Sequence, residues 1–591
     1  MPEPALAMPA SRINPTAFLW LLVAIGLVTM NAPADISATL HHLRVPDPDD
    51  AMRLVEVRDL VDGQGWYDLV QRRFGPPVGI PSHWSRLVDA PLAGLILTLT
   101  PLTGRPLAEG AAALLWPGLL FCLYAVVLFR GVRATFGARS ALIALVVATQ
   151  TLGVTIQFAA GRVDHHDIQL IAILGLAFAM IGGGARGGAV AGALGALSLA
   201  VGLEGLPFLA AAALFLAADW ILRGRPALAA FTAFGAALGL CAPVLFGAQV
   251  SPALWGRTAC DALSPPWLFL AGGGLAIGLS CMALDRHLQR RTSRFLALTG
   301  LGTLLLGGFA LLFPVCLGGP FPGMTALVRD HWLLKVNEMT DAATFVARGQ
   351  WEALAFYPVV LLATLVATRL AFRGPHRRFW AVASALLWPG LVLGLEEFRG
   401  LYVVSGLVPL VAGPFIGEAL RRASMRSLPS VGRIALAAGL VSTVWIAPIA
   451  LGETLFPAAR TANDPAGATA CLGDGALAPL AALPPGTVLA PIFMGPAILL
   501  HTPHAVVAAP YHRAVPEIAA ALRGLGGTEG DLRRETRTHG VRYLATCAGR
   551  PADDLQAETA FATRLTRGEA KAGWLKPLTD AGPVKVWQVA P

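Results

Sequence analysis

Two short polar segments and two isolated charges carry most of the chemistry available to this 591-residue chain. The first, His41-His42-Leu43-Arg44-Val45-Pro46-Asp47-Pro48-Asp49-Asp50-Ala51-Met52-Arg53, places three carboxylates within four residues. Such carboxylates repel one another unless solvent, the nearby Arg53 or a bound cation offsets their charge. Taken alone, a solvated acidic loop is the commoner outcome. The second, Gly161-Arg162-Val163-Asp164-His165-His166-Asp167, is squeezed between two apolar runs. So short a connection keeps its polar side chains at the edge of the apolar layer, where an unpaired carboxylate and two imidazoles are costly and usually functional. On an extended segment Asp164 and His166 point to one face and offer an oxygen and a nitrogen to one divalent ion. The alternative is a capping aspartate with interfacial histidines. Glu338, in Lys335-Val336-Asn337-Glu338-Met339, and Arg399, in Glu396-Glu397-Phe398-Arg399-Gly400-Leu401-Tyr402, complete the set. A lone loop glutamate is ordinarily solvated. An arginine at the boundary of an apolar helix needs a local anion, either the adjacent glutamates or a lipid phosphate.

The elements that must position these residues are membrane helices. The chain is 55% hydrophobic and 14% charged, against about 45 to 50% and 25% for a soluble protein. Thirteen apolar runs reach the length that crosses a bilayer as helix, at about 17–30, 108–129, 140–159, 167–184, 188–203, 205–222, 226–248, 265–285, 295–317, 351–370, 379–395, 401–419 and 434–451. The first lacks a small-residue cleavage site and reads as a retained helix. Asp89 to Gly104 is short and holds Pro91 and Pro101, so it is either a span or an interfacial helix. The positive-inside rule selects the second. Alternate loops then collect the arginines, from Arg130, Arg133 and Arg139 through Arg286, Arg290, Arg291 and Arg294 to Arg421, Arg422, Arg426 and Arg433, and the opposite loops hold the acids named above with Glu204, Asp261 and Asp330. This puts the N-terminus in the cytoplasm and the chemistry-bearing loops outside. The net charge of +9 comes as loop clusters rather than a groove-lining stripe, which excludes a nucleic-acid footprint.

From residue 452 to 591 polarity becomes mixed, with strand-like runs at Thr487 to Pro491, Ala505 to Ala509 and Val541 to Thr546 and helical ones at Pro516 to Arg523 and Glu529 to Thr538. This is a small α/β domain on the outer side. The fold class expected is therefore a polytopic α-helical membrane protein, with a membrane domain over 1–451 (first outer loop 31–107, long outer loop 318–350) and an outer α/β domain over 452–591. Cys122, Cys241, Cys260, Cys281 and Cys316 lie in or beside apolar runs and read as inert small hydrophobes. Cys471 and Cys547 lie in the polar domain and are the candidate disulfide in an oxidising compartment, although spacing does not fix pairing.

Together the four sites resemble the GT-C class of lipid-linked glycosyltransferases, and most closely the catalytic subunit of oligosaccharyltransferase with its single-chain bacterial and archaeal relatives. Asp47, Pro48 and Arg53 match the family's first-loop pattern Asp-Pro-x-Phe-Asn-Tyr-Arg. Asp164-His165-His166 is similar to the archaeal form of its second motif, and Val336-Asn337-Glu338 to the end of Thr-Ile-x-Glu. Arg399 falls where the family's late arginine is expected. The likeness covers about the first 450 residues. It implies thirteen spans, a C-terminal domain outside, and Mg2+ or Mn2+ held by Asp47 or Asp49 with Asp164, His166 and Glu338. It also implies donor phosphate on Arg399, and a polyprenyl-phosphate or polyprenyl-pyrophosphate donor whose sugar is transferred with inversion. Mixed histidine and carboxylate ligands suit Mn2+ at least as well as Mg2+. The Trp-Trp-Asp-Tyr-Gly motif that reads the protein sequon is absent; nearest in position stands Tyr511-His512-Arg513. The acceptor expected is therefore a glycan, a lipid or a differently recognised protein, at the outer face of a bacterial inner membrane. Competing readings are a lipid-linked glycan flippase or polysaccharide transporter, which would place ionisable groups near mid-membrane and often repeat its halves, and a non-catalytic membrane subunit.

Overall fold

A computed structural model describes residues 15–32, 34–424, 431–455, 470–548, 558–579 and 582–590. The N-terminal end, expected in the cytoplasm, and Arg426 of the last basic loop lie outside the described residues. All thirteen apolar runs are helical. Among the described residues eight helices are long and apolar enough to cross a membrane, or ten if each of two bent pairs counts as one span. The difference from thirteen lies in breaks. The second and third runs are joined as Arg105–Ala148 with a kink at Gly137, whose φ of 81° takes its backbone out of the helical region. His166–Gly182 is one turn short of most spans, and the last run is divided into Val431–Gly439 and Ile446–Leu455.

The expected basic loops meet one another at one end of the bundle. Arg378 donates to Asp219 at 2.7 Å and to the Met180 carbonyl at 2.8 Å, and Arg225 lies 3.7 Å from Asp285. The first loop, by contrast, folds into a layer at the other end. Asp47 caps the helix Pro48–Val61 by accepting from the Asp49 amide at 2.9 Å, with Pro48 at the first helical position. A short hairpin, β1 (Val70–Gln71) with β2 (Ile80–Pro81), follows. Next comes Arg86–Thr103, capped by Ser85, which accepts from the Leu87 amide. It covers the segment expected from the sequence to lie at the interface. One face buries Val88, Asp89, Leu92 and Ile96, and the other leaves Leu97 and Leu102 57% and 81% exposed, the pattern of a helix lying on an apolar boundary.

The layer is held by buried charge. Arg53, fully buried, donates to Asp89 at 2.9 Å and reaches Asp164 of the second outer loop at 3.4 Å, with its guanidinium 4.3 Å from the centre of the Trp84 ring. Arg86 closes on the other Asp89 oxygen at 3.1 Å. Two arginines thus share one buried aspartate.

The C-terminal domain carries a five-stranded sheet in the order β4-β3-β5-β7-β6, where β3 is Thr487–Leu489, β4 Ala505–Val506, β5 Val541–Cys547, β6 Leu575–Pro577 and β7 Val584–Val589. β3 pairs parallel with β4 and β5, and β7 pairs antiparallel with β5 and β6. Helices Val515–Gly526 and Glu529–Thr538 connect β4 to β5. The last two strands were not expected from the sequence; in Leu575–Pro577 and Val584–Val589 charged and polar residues interrupt the apolar pattern. The domain sits on the first loop because the C-terminal carbonyls of helix Gly495–His501 and its exit need donors. Arg73 gives hydrogen bonds to the carbonyls of Leu499 (2.8 Å) and Thr502 (3.0 Å), and Arg58 to that of Leu500 (2.8 Å).

Cys471 and Cys547 form a disulfide (Cα–Cα 5.9 Å) within this domain. Cys260 and Cys316, read from sequence as inert, are also joined (Cα–Cα 5.3 Å). They lie in loops beside the ends of separate helices, Pro265–Ala283 and Arg291–Leu312, a three-dimensional proximity that the apolar runs beside them conceal. Cys122, Cys241 and Cys281 are free.

Two stability predictions follow from the buried layer. Removing the charge in Arg53→Met leaves Asp89 with one of its two cations, at a cost of about 3 to 5 kcal/mol for a broken buried pair. Thermal unfolding in detergent should therefore show a larger loss than for Arg58→Met, whose side chain is partly exposed. Glu56, on the same helix, is pushed up to about 8 by burial and by Asp89, against the pull of Arg53, the Ser82 hydroxyl and Arg86. The folded chain then keeps a proton that the unfolded chain loses in the ordinary carboxylate range. Wild-type stability should fall from about pH 5 to about pH 8 relative to Glu56→Gln and run parallel to it above that; parallel melting curves across the whole range would refute this assignment.

Candidate active site

The three carboxylates of the first loop have separate surroundings. Asp50 is fully buried and locks the second loop: one of its oxygens accepts from the amides of Val163 (2.8 Å) and Asp164 (3.0 Å), and the other from Arg162 (3.1 Å). Burial raises its pKa to about 7 against the influence of Arg162. Asp47 is partly exposed; it caps its helix and lies 3.4 Å from Arg162. Asp49 has no ion-pair partner among the described residues. Burial, then the charges of Asp47, Asp164 and Glu338, push its pKa well above the usual carboxylate range. The Tyr511 hydroxyl lies against this turn, donating to the Pro48 carbonyl at 3.1 Å and in hydrogen-bond contact with Asp49.

The second loop enters its helix through a turn. Gly161 has a φ of +85°, and a Cβ there would press on the Pro46 ring at 3.0 Å. His165 is already right-handed helical (φ −81°, ψ −9°). The extended Asp164-x-His166 segment expected from sequence is thus a turn, because the helix His166–Gly182 begins one residue earlier than anticipated. Asp164 does not cap that helix, whose N-terminus has no side-chain cap.

The turn nonetheless brings the two donors together. One Asp164 oxygen is taken by His165 Nδ1 at 2.6 Å and approached by Arg53; the other faces His166 Nε2 at 3.4 Å. On its far side His166 Nε2 lies 3.8 Å from Glu338, whose second oxygen is 3.5 Å from Arg399. Burial opposes ionisation of Asp164, yet His165, His166 and Arg53 hold its carboxyl well below the usual range. His165 in turn is held protonated: against the cost of burial, Asp164 and Glu204, the latter 3.3 Å from Nε2, raise its pKa well above the ordinary value.

Among the expected site residues, the fold therefore collects Asp164, His166, Glu338 and Arg399 at one place with Asp49 facing them, while Asp47 stands at the rim. Ligand atoms around a single ion at about 2.1 Å lie about 3 to 3.5 Å apart, which the spacing of the Asp164 oxygen and His166 Nε2 meets. Buried His166 Nδ1 and Arg399 Nε have no hydrogen-bond partner among the described residues. Arg399 pairs with Glu338, not with the neighbouring Glu396 or Glu397. Glu338 is brought into reach because the Thr340 carbonyl accepts from the Phe398 amide at 3.1 Å, beside a Phe345–Phe398 ring contact of 5.1 Å. Val328 and Trp332 of the same long loop pack into the C-terminal domain's core.

Sequence reasoning missed the supporting roles of Glu204, Arg162 and Tyr511. Glu204 carried one signal, its flanking glycines: a Cβ on Gly202 would strike both its carboxylate and the His165 ring.

No protein-family model matches the sequence, and no curated protein matches it. Solved structures do. The oligosaccharyltransferase of Archaeoglobus fulgidus in its apo form aligns with a TM-score of 0.65 at 13% identity, over 91% of this chain and 70% of that one. Its complex with an inhibitory peptide and a dolichol-phosphate gives 0.64 at 13% identity over 90% and 69%. Its complex with Zn and sulfate gives 0.62 at 12% over 97% and 73%. At such identity the likeness is one of architecture. This chain has the fold of the archaeal oligosaccharyltransferase.

Proposed function

We propose that the chain is a metal-dependent, inverting glycosyltransferase that transfers a sugar or oligosaccharide from a polyprenyl-phosphate or polyprenyl-pyrophosphate donor at the outer face of a bacterial inner membrane. The observation that carries this reading is the meeting of His166 with Asp164 and Glu338 at 3.4 and 3.8 Å beside Arg399, at the end of the bundle away from the arginine-rich loops. Asp49, Asp164, His166 and Glu338 would hold Mn2+ or Mg2+, with Asp47 at the rim as the alternative first-loop ligand. That ion supplies positive charge to the phosphate leaving group. Arg399 binds the same phosphate through guanidinium donors that Glu338 leaves open. The acceptor nucleophile attacks the anomeric carbon from the face opposite the phosphate, the bond from that carbon to the phosphate oxygen breaks, and the configuration inverts. Asp47, Asp49 and Glu338 are the carboxylates placed to draw off the acceptor's proton.

The outer orientation is supported by two disulfides in loops and domain on the side opposite the arginines. A glycan, lipid or differently recognised protein acceptor is supported by Tyr511-His512-Arg513, whose side chains face the first loop and Asp261.

Mass spectrometry of envelope glycans, lipopolysaccharide and periplasmic proteins from a deletion strain tests the assignment. A defined sugar unit should vanish and return only with the wild-type gene; full rescue by both Asp164→Ala and Glu338→Ala would refute it in favour of transport. His165→Ala removes the residue that positions Asp164, and should weaken the metal affinity of the purified enzyme about 10- to 100-fold, seen as a raised Mn2+ concentration for half-maximal transfer that saturating Mn2+ overcomes.

A further inference from the structure

A second cluster of donors stands apart from the candidate active site. His83 comes from the first loop just after β2, Asp261 from the segment that follows helix Arg225–Gln249, and His512 from the C-terminal domain. One donor atom from each lies within 4.8 Å of the others. His512 Nε2 is 2.7 Å from an Asp261 oxygen, and the His83 and His512 rings meet edge to face at 4.5 Å.

The surroundings fix all three. Asp261 follows Cys260, whose disulfide with Cys316 ties the segment to the end of helix Arg291–Leu312. Arg513 donates to both Asp261 oxygens, at 2.7 and 3.1 Å, and to the Ser82 carbonyl at 2.6 Å, so it orients the carboxylate and the residue next to His83 together. Phe321 covers His512 with its ring 4.8 Å away. A simple ion-pair clamp between domain and loop needs only Arg513 and Asp261. It leaves unexplained why two imidazoles converge on the same carboxylate, one of them, His83, making no side-chain hydrogen bond among the described residues. Two histidines and a carboxylate on three separate segments are a donor set for Zn2+, with Arg513 as the outer partner that orients the carboxylate.

We propose that His83, Asp261 and His512 bind a Zn2+ ion that fastens the C-terminal domain to the first outer loop and to the disulfide-bonded segment. The ion takes the place of the proton between His512 Nε2 and the Asp261 oxygen, recruits His83 from the far side, and completes its coordination with water.

The test uses the full chain in detergent, stripped with chelator and reloaded with Zn2+ alone. In the Asp164→Ala/His166→Ala background, which removes the first site, one zinc per chain should survive gel filtration and raise Tm. Adding His83→Gln should weaken that binding by about 100-fold or more and abolish the Tm shift. Absence of bound zinc in a background that elutes as folded protein, or unchanged zinc affinity in His83→Gln, overturns the proposal. Should the variants not fold, diethylpyrocarbonate labelling of the wild type decides: Zn2+ should protect His83 and His512 together, and equal labelling with and without Zn2+ overturns it.

Discussion

The organising constraint of this molecule is the cost of gathering carboxylates out of water. Asp49, Asp50, Asp89, Asp164, Glu204 and Glu338 crowd one end of a helical bundle, and each must find a cation or keep a proton. Arg53 and Arg86 answer Asp89, Arg162 answers Asp50, His165 stands between Asp164 and Glu204, and Arg399 faces Glu338. Once these pairs are drawn, Asp49 has no ion-pair partner among the described residues and only the Tyr511 hydroxyl against it, and the second Asp164 oxygen faces an imidazole. The unbalanced remainder is concentrated at one point, which is where a divalent ion or a substrate's charge would be most strongly felt.

The same pairs explain the layered arrangement of the loops. Asp50 accepts from the backbone of the second loop, and Arg53 spans from the interfacial helix to Asp164, so neither loop reaches its shape without the other. The C-terminal domain adds a further tie through Arg58 and Arg73, which satisfy the carbonyls at the end of helix Gly495–His501, and through Val328 and Trp332, which draw the long outer loop under it. Glu338 is thereby placed by a domain more than a hundred residues further along the chain.

Much of this was legible beforehand, and the reasons for success and failure differ. Membrane helices declare themselves by length and apolarity, and the helix Arg86–Thr103 was set apart from them by its two prolines. Asp164, His166 and Arg399 of the proposed site could be singled out because they stand where a charge is expensive. Glu204, Arg162 and Asp50 were not, since their roles lie in contacts with residues 39 to 114 positions away that no local pattern encodes. The Cys260–Cys316 pair failed for the same reason: apolar neighbours gave each cysteine a sufficient local explanation. Tyr511-His512-Arg513 was visible as a departure from the family's motif, but its partners Asp49 and Asp261 belong to distant segments.

The interfacial helix Arg86–Thr103 presents Asp89 to Arg53 on one face and Leu97 and Leu102 to the surroundings on the other. A single helix thus carries exposed leucines on one face and a carboxylate of the buried cluster on the other. The proposed donor is restricted by its own tail to the plane of the lipid headgroups. A protein whose cleft is levelled to that plane meets it by lateral diffusion in two dimensions, so the encounter scales with the donor's surface density in the leaflet and not with any bulk concentration.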